Sequence, residues 1–232
     1  YDYLTTEATS HSEKVRAFVD AQRLGYADRG HFVADPAYID VPIDVLISPD
    51  YIGYRAKQRF APDAEATPGD PASIDSAATA ASLWGADTTV EIGGTTHLSI
   101  IDQYGNAVSL TASIEAVFGS SRWAGGFLLN NELTDFAKTP TADGRLVANA
   151  IAPGKRPRSS MSPTIIFDQD NNLLMVTGSP GGNSIIAYVA KSVLGVLDWN
   201  LSAQQAADYP NVVARGRSVR VEVADATGQQ LA

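Results

Sequence analysis

From Thr95 onward the chain alternates polar and apolar residues with a period of two, a pattern that suits strand and not helix. Thr95, His97 and Ser99 interleave with Thr96, Leu98 and Ile100, and Asp102-Gln103-Tyr104-Gly105-Asn106 supplies a turn. Val108, Leu110, Ala112 and Ile114 then interleave with Ser109, Thr111, Ser113 and Glu115. Successive strand side chains point to opposite faces, so this segment reads as a β-hairpin with one polar face. Thr95 lies on one strand of that face, with Ser113 and Glu115 on its neighbour. Such a face either lines a cleft or meets solvent at a sheet edge, and the alternation admits both.

Before the hairpin the period is helical. Ser10 and Glu13 form a capping-box pattern, and Val15, Phe18, Val19 and Tyr26 share one face, which predicts a helix over about 10–28. Ser48-Pro49-Asp50 combines a capping serine, a proline at the first helical position and an acid in the first turn, predicting a second helix to about Phe60. From 61 to about 87 Ala, Pro, Asp, Ser and Thr dominate, a composition expected to form a mobile linker leading to Thr95. After the hairpin, strands are expected at about 163–168 and 173–178. The turn between them, Asp168-Gln169-Asp170-Asn171-Asn172, lacks the glycine and the bidentate glutamate of a calcium loop, because Leu173 and Ser179 stand there instead. Asn183 to Leu197 is apolar nearly all round and is read as a buried helix beneath a sheet. A short helix near Ser202 to Asp208, stopped by Pro210, and a strand at 218–223 follow.

Composition excludes several functions. A chain of 232 residues with 44% hydrophobic content buries one sizeable core, as one domain or two small ones. A net charge of -9 argues against a nucleic-acid partner, and Lys155-Arg156-Pro157-Arg158 is too short a basic run to reverse it. With no cysteine there is no disulfide framework, thiolate metal site or Cys nucleophile, which leaves Ser, Thr or a carboxylate for covalent chemistry. No run approaches the ~18 apolar residues of a membrane span, and the first residues lack the regions of a signal peptide. The compartment is not fixed by these features; a periplasmic or secreted location stays open.

Thr95 follows Gly93-Gly94 directly. A hydroxyl is a weak nucleophile until a base takes its proton, and cutting before Thr95 would release an α-amine on the same residue to act as that base. The same residues also suit an ordinary turn into a β-branched strand. His97 has no evident acid partner and is read as a structural strand histidine. In Gly178-Ser179-Pro180-Gly181-Gly182, bare amides at a helix N-terminus favour developing negative charge, so Gly181 and Gly182 are candidates for an oxyanion hole. The absence of a Gly-Lys-Ser/Thr ending argues against a phosphate loop, and a plain tight turn is the remaining alternative.

Five segments, in order, resemble the γ-glutamyltransferase family, also called γ-glutamyltranspeptidases. They are Gly93-Gly94-Thr95-Thr96-His97, Ser113-Ile114-Glu115, Leu128-Leu129-Asn130-Asn131-Glu132-Leu133-Thr134-Asp135-Phe136, the run Pro153 to Thr164, and Gly178 to Gly182. The likeness runs from about Tyr26 to about Asn211. It implies an α+β chain with the four-layer αββα sandwich of N-terminal-nucleophile hydrolases. It also implies a precursor that cuts itself between Gly94 and Thr95. On that pattern 1–60 is the helical C-terminal part of the large subunit, 61–94 the linker to the cut, and 95–232 the small-subunit catalytic region with its C-terminal end truncated. The chain is then read as a fragment of a longer precursor, with that precursor's large subunit as a partner.

The resemblance also implies roles. Ser113 takes the place of a family threonine that hydrogen-bonds the nucleophile. Glu132 and Asp135 match the groups that bind the α-amine of a γ-glutamyl substrate. Ser159 and Ser160 match those that bind its α-carboxylate, with a large-subunit arginine that is not in this chain. Glu115 departs from the family's asparagine, adding a charge that attracts the ammonium and repels a nearby carboxylate. The implied activity is γ-glutamyl transfer from glutathione or related amides to water or an amino acceptor, with no metal or organic cofactor. The alternatives are a cephalosporin acylase-like amidase using the same Thr95, and a binding protein that never cuts itself.

Overall fold

The computed structural model describes residues 1–6, 10–58, 64–89, 93–223 and 226–231. Four helices come first: α1 (Asp2–Thr5), α2 (His11–Phe32), α3 (Ile43–Leu46) and α4 (Pro49–Lys57). Then follow β1 (Thr96–Ile101), β2 (Ala107–Ala112) and four two-residue strands, β3 (Trp123–Ala124), β4 (Phe127–Leu128), β5 (Thr141–Ala142) and β6 (Arg145–Leu146). The chain continues through β7 (Thr164–Phe167), β8 (Leu173–Thr177), α5 (Ile185–Leu197), α6 (Ala203–Asp208), β9 (Val212–Arg215), β10 (Ser218–Val221) and α7 (Ala226–Leu231). The strands pair as five antiparallel two-stranded ribbons, β1 with β2, β3 with β4, β5 with β6, β7 with β8 and β9 with β10.

Two compact units result. The first comprises Tyr1–Thr89, Phe136–Arg158 and Val213–Arg220. Its helix α2 starts where the capping box predicts: the Glu13 N–H donates to Ser10 Oγ at 3.3 Å and the Ser10 N–H to Glu13 Oε2 at 2.8 Å. It runs on to Phe32, past the expected end. Helix α4 opens at Ser48, whose Oγ accepts the Tyr51 N–H, and ends at Lys57; residues 59 and 60 of the predicted span lie outside those described. Phe18, Phe32, Tyr51, Val147 and Ala214 are buried in this unit.

Residues 64–89, expected from composition to be part of a mobile linker, make long-range polar contacts. They are held by polar anchors where apolar ones are scarce. Arg55 donates Nε to Asp28 Oδ2 at 2.9 Å and Nη2 to the Thr67 carbonyl at 2.8 Å, and Asp28 Oδ1 accepts the Gly69 N–H. Asp70 Oδ1 accepts the Ala81 N–H, Thr79 Oγ1 donates to the Asp40 carbonyl, and His31 Nε2 donates to the Ala81 carbonyl. Apart from the Arg55–Asp28 pair itself, each anchor satisfies a backbone group that would otherwise need water. Residues 61–63 lie outside the described set.

The second unit comprises Val90–Asp135, Ser159–Val212 and Val221–Ala232. The β1–β2 ribbon has the register Thr96↔Ala112, His97↔Thr111 and Ser99↔Ser109, so the predicted polar face forms. It faces the β7–β8 ribbon: Ser109 Oγ donates to the Thr177 carbonyl at 2.9 Å and accepts the Thr164 N–H at 3.1 Å. The aliphatic face points the other way, with Ile100 52% and Val108 47% exposed. The β7–β8 ribbon falls within its predicted spans, with a register shift at Ile166/Phe167. In the turn that joins its strands Asp168 accepts from the Asp170 and Asn172 N–H groups and from the Asn172 side chain, so its oxygens serve the turn.

Helix α5 lies against β8. It is not buried all round as its sequence suggests, since Leu197 is 49% exposed while Lys191 is buried. Lys191 Nζ donates to the carbonyls of Ala207 and Tyr209 at the end of α6, and desolvation lowers its pKa below the ordinary lysine value. Helix α6 carries a full capping box between Ser202 and Gln205.

Candidate active site

Thr95 stands immediately before β1 and Ser113 immediately after β2, so continuing the ribbon's register past the Thr96↔Ala112 pair brings them together. Thr95 Oγ1 donates to Ser113 Oγ at 3.2 Å. The Ser113 oxygen also accepts the Glu115 N–H at 2.8 Å. That second bond depends on an unusual backbone: Glu115 has φ 72°, the left-handed region sparsely visited by residues other than glycine.

The Glu115 side chain is buried, and its Oε2 accepts a hydrogen bond from Asn131 Nδ2. Asn131 also donates Nδ2 to Thr134 Oγ1 at 3.2 Å and accepts the Ala116 N–H on Oδ1 at 3.0 Å. It thereby ties the turn after β2 to the one-turn 3-10 helix Glu132–Asp135. Asn131 lies within the Leu128–Phe136 motif, for which the resemblance implies roles only at Glu132 and Asp135. Its signal was its place beside Glu132.

Both acids of that short helix, Glu132 and Asp135, line the cleft that holds Thr95, Ser113 and Glu115. Ser159, Ser160 and Gly182 line it too, with Met161 and Ile185 as apolar wall, in a space of about 290 Å³ that includes its open mouth. Ser159 is exposed and Ser160 buried; Ser159 Oγ accepts the Met161 N–H. Gly181 stands outside the lining. Its φ of 136° and that of Gly182 at 55° are open to glycine, and a Cβ on Gly181 would come within 2.7 Å of the Tyr188 ring. Three carboxylates and three serines thus line one cleft with Thr95, and no cationic side chain is among its lining residues.

The two glycines before Thr95 are placed closely. A Cβ on Gly94 would stand 2.1 Å from the Glu115 carbonyl oxygen and 2.6 Å from the Ala116 carbonyl carbon. A Cβ on Gly93 would stand 3.4 Å from the Gly181 carbonyl carbon, at ordinary van der Waals distance. His97 is turned to hydroxyls: Nδ1 pairs with Thr111 Oγ1 at 2.8 Å and Nε2 with Ser99 Oγ at 3.0 Å. Desolvation lowers its pKa below the ordinary histidine value. Among the described residues no cluster of three or more His, Asp or Glu is placed to hold a metal, and no helix is long and apolar enough to cross a membrane.

A family model described as gamma-glutamyltranspeptidase matches residues 1–232. The chain belongs to the γ-glutamyltranspeptidase family. Relatives include the glutathione hydrolase proenzyme of Bacillus subtilis (strain 168), 36% identical over 211 residues that make up 89% of this chain and 35% of the relative. The glutathione hydrolase proenzyme of Escherichia coli (strain K12) is 35% identical over 210 residues, covering 86% of this chain and 33% of that protein. The chain spans about a third of the length of these curated relatives. Among solved structures, the cephalosporin acylase from Bacillus halodurans matches with a TM-score of 0.74 at 22% identity, covering 96% of this chain and 37% of that one. The likeness is one of fold, which in this chain is mixed α and β. In this member of the γ-glutamyltranspeptidase family, the motifs contribute Thr95, Ser113, Glu115, Glu132, Asp135, Ser159, Ser160, Met161 and Gly182 to the lining of the cleft.

Proposed function

We propose that this chain carries the catalytic threonine of a self-activating enzyme that transfers a γ-glutamyl group from glutathione or a related amide to water or an amino acceptor. The observation that carries the reading is the Thr95 Oγ1 to Ser113 Oγ hydrogen bond at 3.2 Å, inside a cleft that also holds Glu132, Asp135, Ser159 and Ser160. In the first reaction the Thr95 hydroxyl attacks the Gly94 carbonyl, the Gly94–Thr95 C–N bond breaks, and an ester forms with release of the Thr95 amine. Water then opens the ester, leaving a Gly94 carboxylate and a free hydroxyl.

In the second reaction the freed amine takes the proton of the Thr95 hydroxyl as it attacks the substrate amide carbonyl and gives it to the leaving amine, which leaves a γ-glutamyl ester on Thr95 that water or an acceptor amine then opens to free the hydroxyl again. Gly181 and Gly182 offer backbone N–H groups to the oxyanion. Glu132, Asp135 and Glu115 face the substrate ammonium, and Ser159 and Ser160 its carboxylate. The division at 94/95 into the helical C-terminal part of a large subunit (1–60) with its linker (61–94) and a small-subunit catalytic region (95–232) belongs to the same proposal. So does the full αββα sandwich, supported by the abutting β1–β2 and β7–β8 ribbons with α5 against β8.

A second reading, an amidase acting on a different acyl group, draws on the Glu115 carboxylate in the cleft. Intact mass and N-terminal sequencing of the full-length protein test the main proposal, together with turnover of a γ-glutamyl anilide. A smaller chain beginning at Thr95 and anilide turnover that disappears in Thr95→Ala are expected. An uncut Gly94–Thr95 bond in native protein would overturn the proposal, and a cut protein active only on other acyl amides would favour the second reading.

A further inference from the structure

We propose that the buried ion pair of Asp87 and Arg158 is a clasp that holds the two products of the Gly94–Thr95 cut together, and that it limits the movement after the cut to residues beyond Thr89. The inference rests on the cut proposed above. The first unit is assembled from both sides of that cut, Tyr1–Thr89 from before it and Phe136–Arg158 with Val213–Arg220 from after it. Cutting the chain therefore leaves this unit's internal contacts as contacts between two chains.

Those contacts converge on the last described residues of the first unit's leading segment. Asp87 Oδ2 accepts from Arg158 Nη2 at 3.0 Å and from Asn149 Nδ2 at 3.2 Å, with both ion-pair side chains nearly inaccessible at 2% and 1%. The Arg158 N–H donates to Asn149 Oδ1 at 3.0 Å, closing the group on itself. Asp87 Oδ1 accepts the Thr89 N–H, and the Asp87 N–H donates to the Gly30 carbonyl. Thr89 is gripped in turn, its Oγ1 accepting the Lys138 N–H at 3.0 Å and its carbonyl accepting from Arg215 Nη2 at 2.7 Å.

A buried pair of this kind resists loss of either partner, since the survivor is left charged and unpaired out of water. The second crossing pair, Asp35 with Arg156, has its arginine 75% exposed and sits at the rim, where screening weakens it. Only residues 90–94 lie between Thr89 and the cut, and fully extended they reach at most roughly 17 Å. The new chain end withdraws by that short tether, and the polar-anchored stretch 64–89 stays in place.

The test uses full-length protein with a specific protease site placed at residues 90–92 in a Thr95→Ala background, so that nicking does not depend on self-cleavage. After nicking, the two chains are expected to co-elute in native size exclusion. Hydrogen exchange of residues 79–89 is expected to stay as slow as before nicking, while Gly93 and Gly94 exchange freely. Asp87→Asn and Arg158→Leu are each expected to speed exchange over 79–89 at least tenfold in the nicked protein, and far less in the uncut one. If nicking alone releases 64–89 with the ion pair intact, the clasp is refuted, and this measurement needs no variant of the pair to fold. Unchanged exchange in both nicked variants refutes it equally. Failure of unsubstituted protein to cut at Gly94–Thr95 counts against the proposed function, and the nicked protein still decides the clasp.

Discussion

Gly94→Ala should stop activation while leaving the finished enzyme able to work. A Cβ at this position would stand 2.1 Å from the Glu115 carbonyl oxygen, 2.6 Å from the Ala116 carbonyl carbon and 2.8 Å from the Val117 nitrogen, all backbone atoms. Real Cβ contacts begin near 3.0 Å, so Gly94 or the 115–117 turn must shift by roughly 0.9 Å, and a displacement near 1 Å of reacting groups costs on the order of 100-fold in rate. The shift is costly to absorb because the same turn is fixed at Glu115 by its N–H on Ser113 Oγ and by Asn131. Self-cleavage of Gly94→Ala is therefore expected to slow about 100-fold, read as the disappearance of the uncut band over time with intact mass confirming the products. The control expresses the two halves separately, one ending in the substituted residue and the other beginning at Thr95. The reassembled enzyme should turn over a γ-glutamyl anilide at the unsubstituted rate, because residue 94 no longer bonds to the nucleophile. Cleavage of the intact variant at the unsubstituted rate would refute the packing argument.

Three further outcomes follow from the same geometry. Ser113→Ala removes the acceptor of the Thr95 hydroxyl and is expected to lower kcat by about 3- to 10-fold, the worth of one ordinary hydrogen bond, with Ser113→Thr restoring it; unchanged kcat in the alanine variant would dismiss the contact. Glu115→Gly relieves roughly 1 kcal/mol of left-handed backbone strain while deleting a carboxylate, so Tm should hold and KM for a γ-glutamyl donor should rise; a fall in Tm with unchanged KM would make Glu115 structural. The Arg156 guanidinium and the Arg156 and Ala37 N–H groups hold the Asp35 carboxyl well below its ordinary value of 3.8. A depressed folded-state pKa adds stability above the unfolded value, lost as pH falls below 3.8. Asp35→Asn should then flatten the acid limb of a Tm-against-pH curve, and an acid limb unchanged by the substitution would contradict the sign.

The β1–β2 ribbon and the start of α2 were legible because each depends on a local rule. Alternation fixes which side chains share a strand face, and a Ser-x-x-Glu box marks a helix start wherever it occurs. The cleft's contributors were legible only through resemblance, since nothing in the spacing of Glu132, Ser159 and Gly182 from Thr95 says that they meet. The anchoring of 64–89 was hidden because it comes from Arg55, Asp28 and Asp70 bonding to backbone at long range, which composition does not register. The left-handed turn at Glu115 was hidden for a similar reason. A glutamate gives no local sign of positive φ, and its conformation follows from what Ser113 and Asn131 demand of it.

The outward-facing aliphatic side of β1 and β2 carries an implication for how the nucleophile keeps its direction. In most two-faced ribbons burial of the apolar side penalises a slipped pairing, because one residue of slip turns every side chain over. Here Leu98, Ile100, Val108 and Leu110 are all more than a third exposed, so that penalty is weak. The alignment falls instead to the connection at the far end of the ribbon, where Asp102 accepts the N–H groups of Tyr104 and Asn106 together with the Asn106 side-chain amide, and Gly105 takes φ 85°. A carboxylate at the tip of an exposed turn thereby sets whether the hydroxyl at the other end of the strand looks into the cleft or away from it.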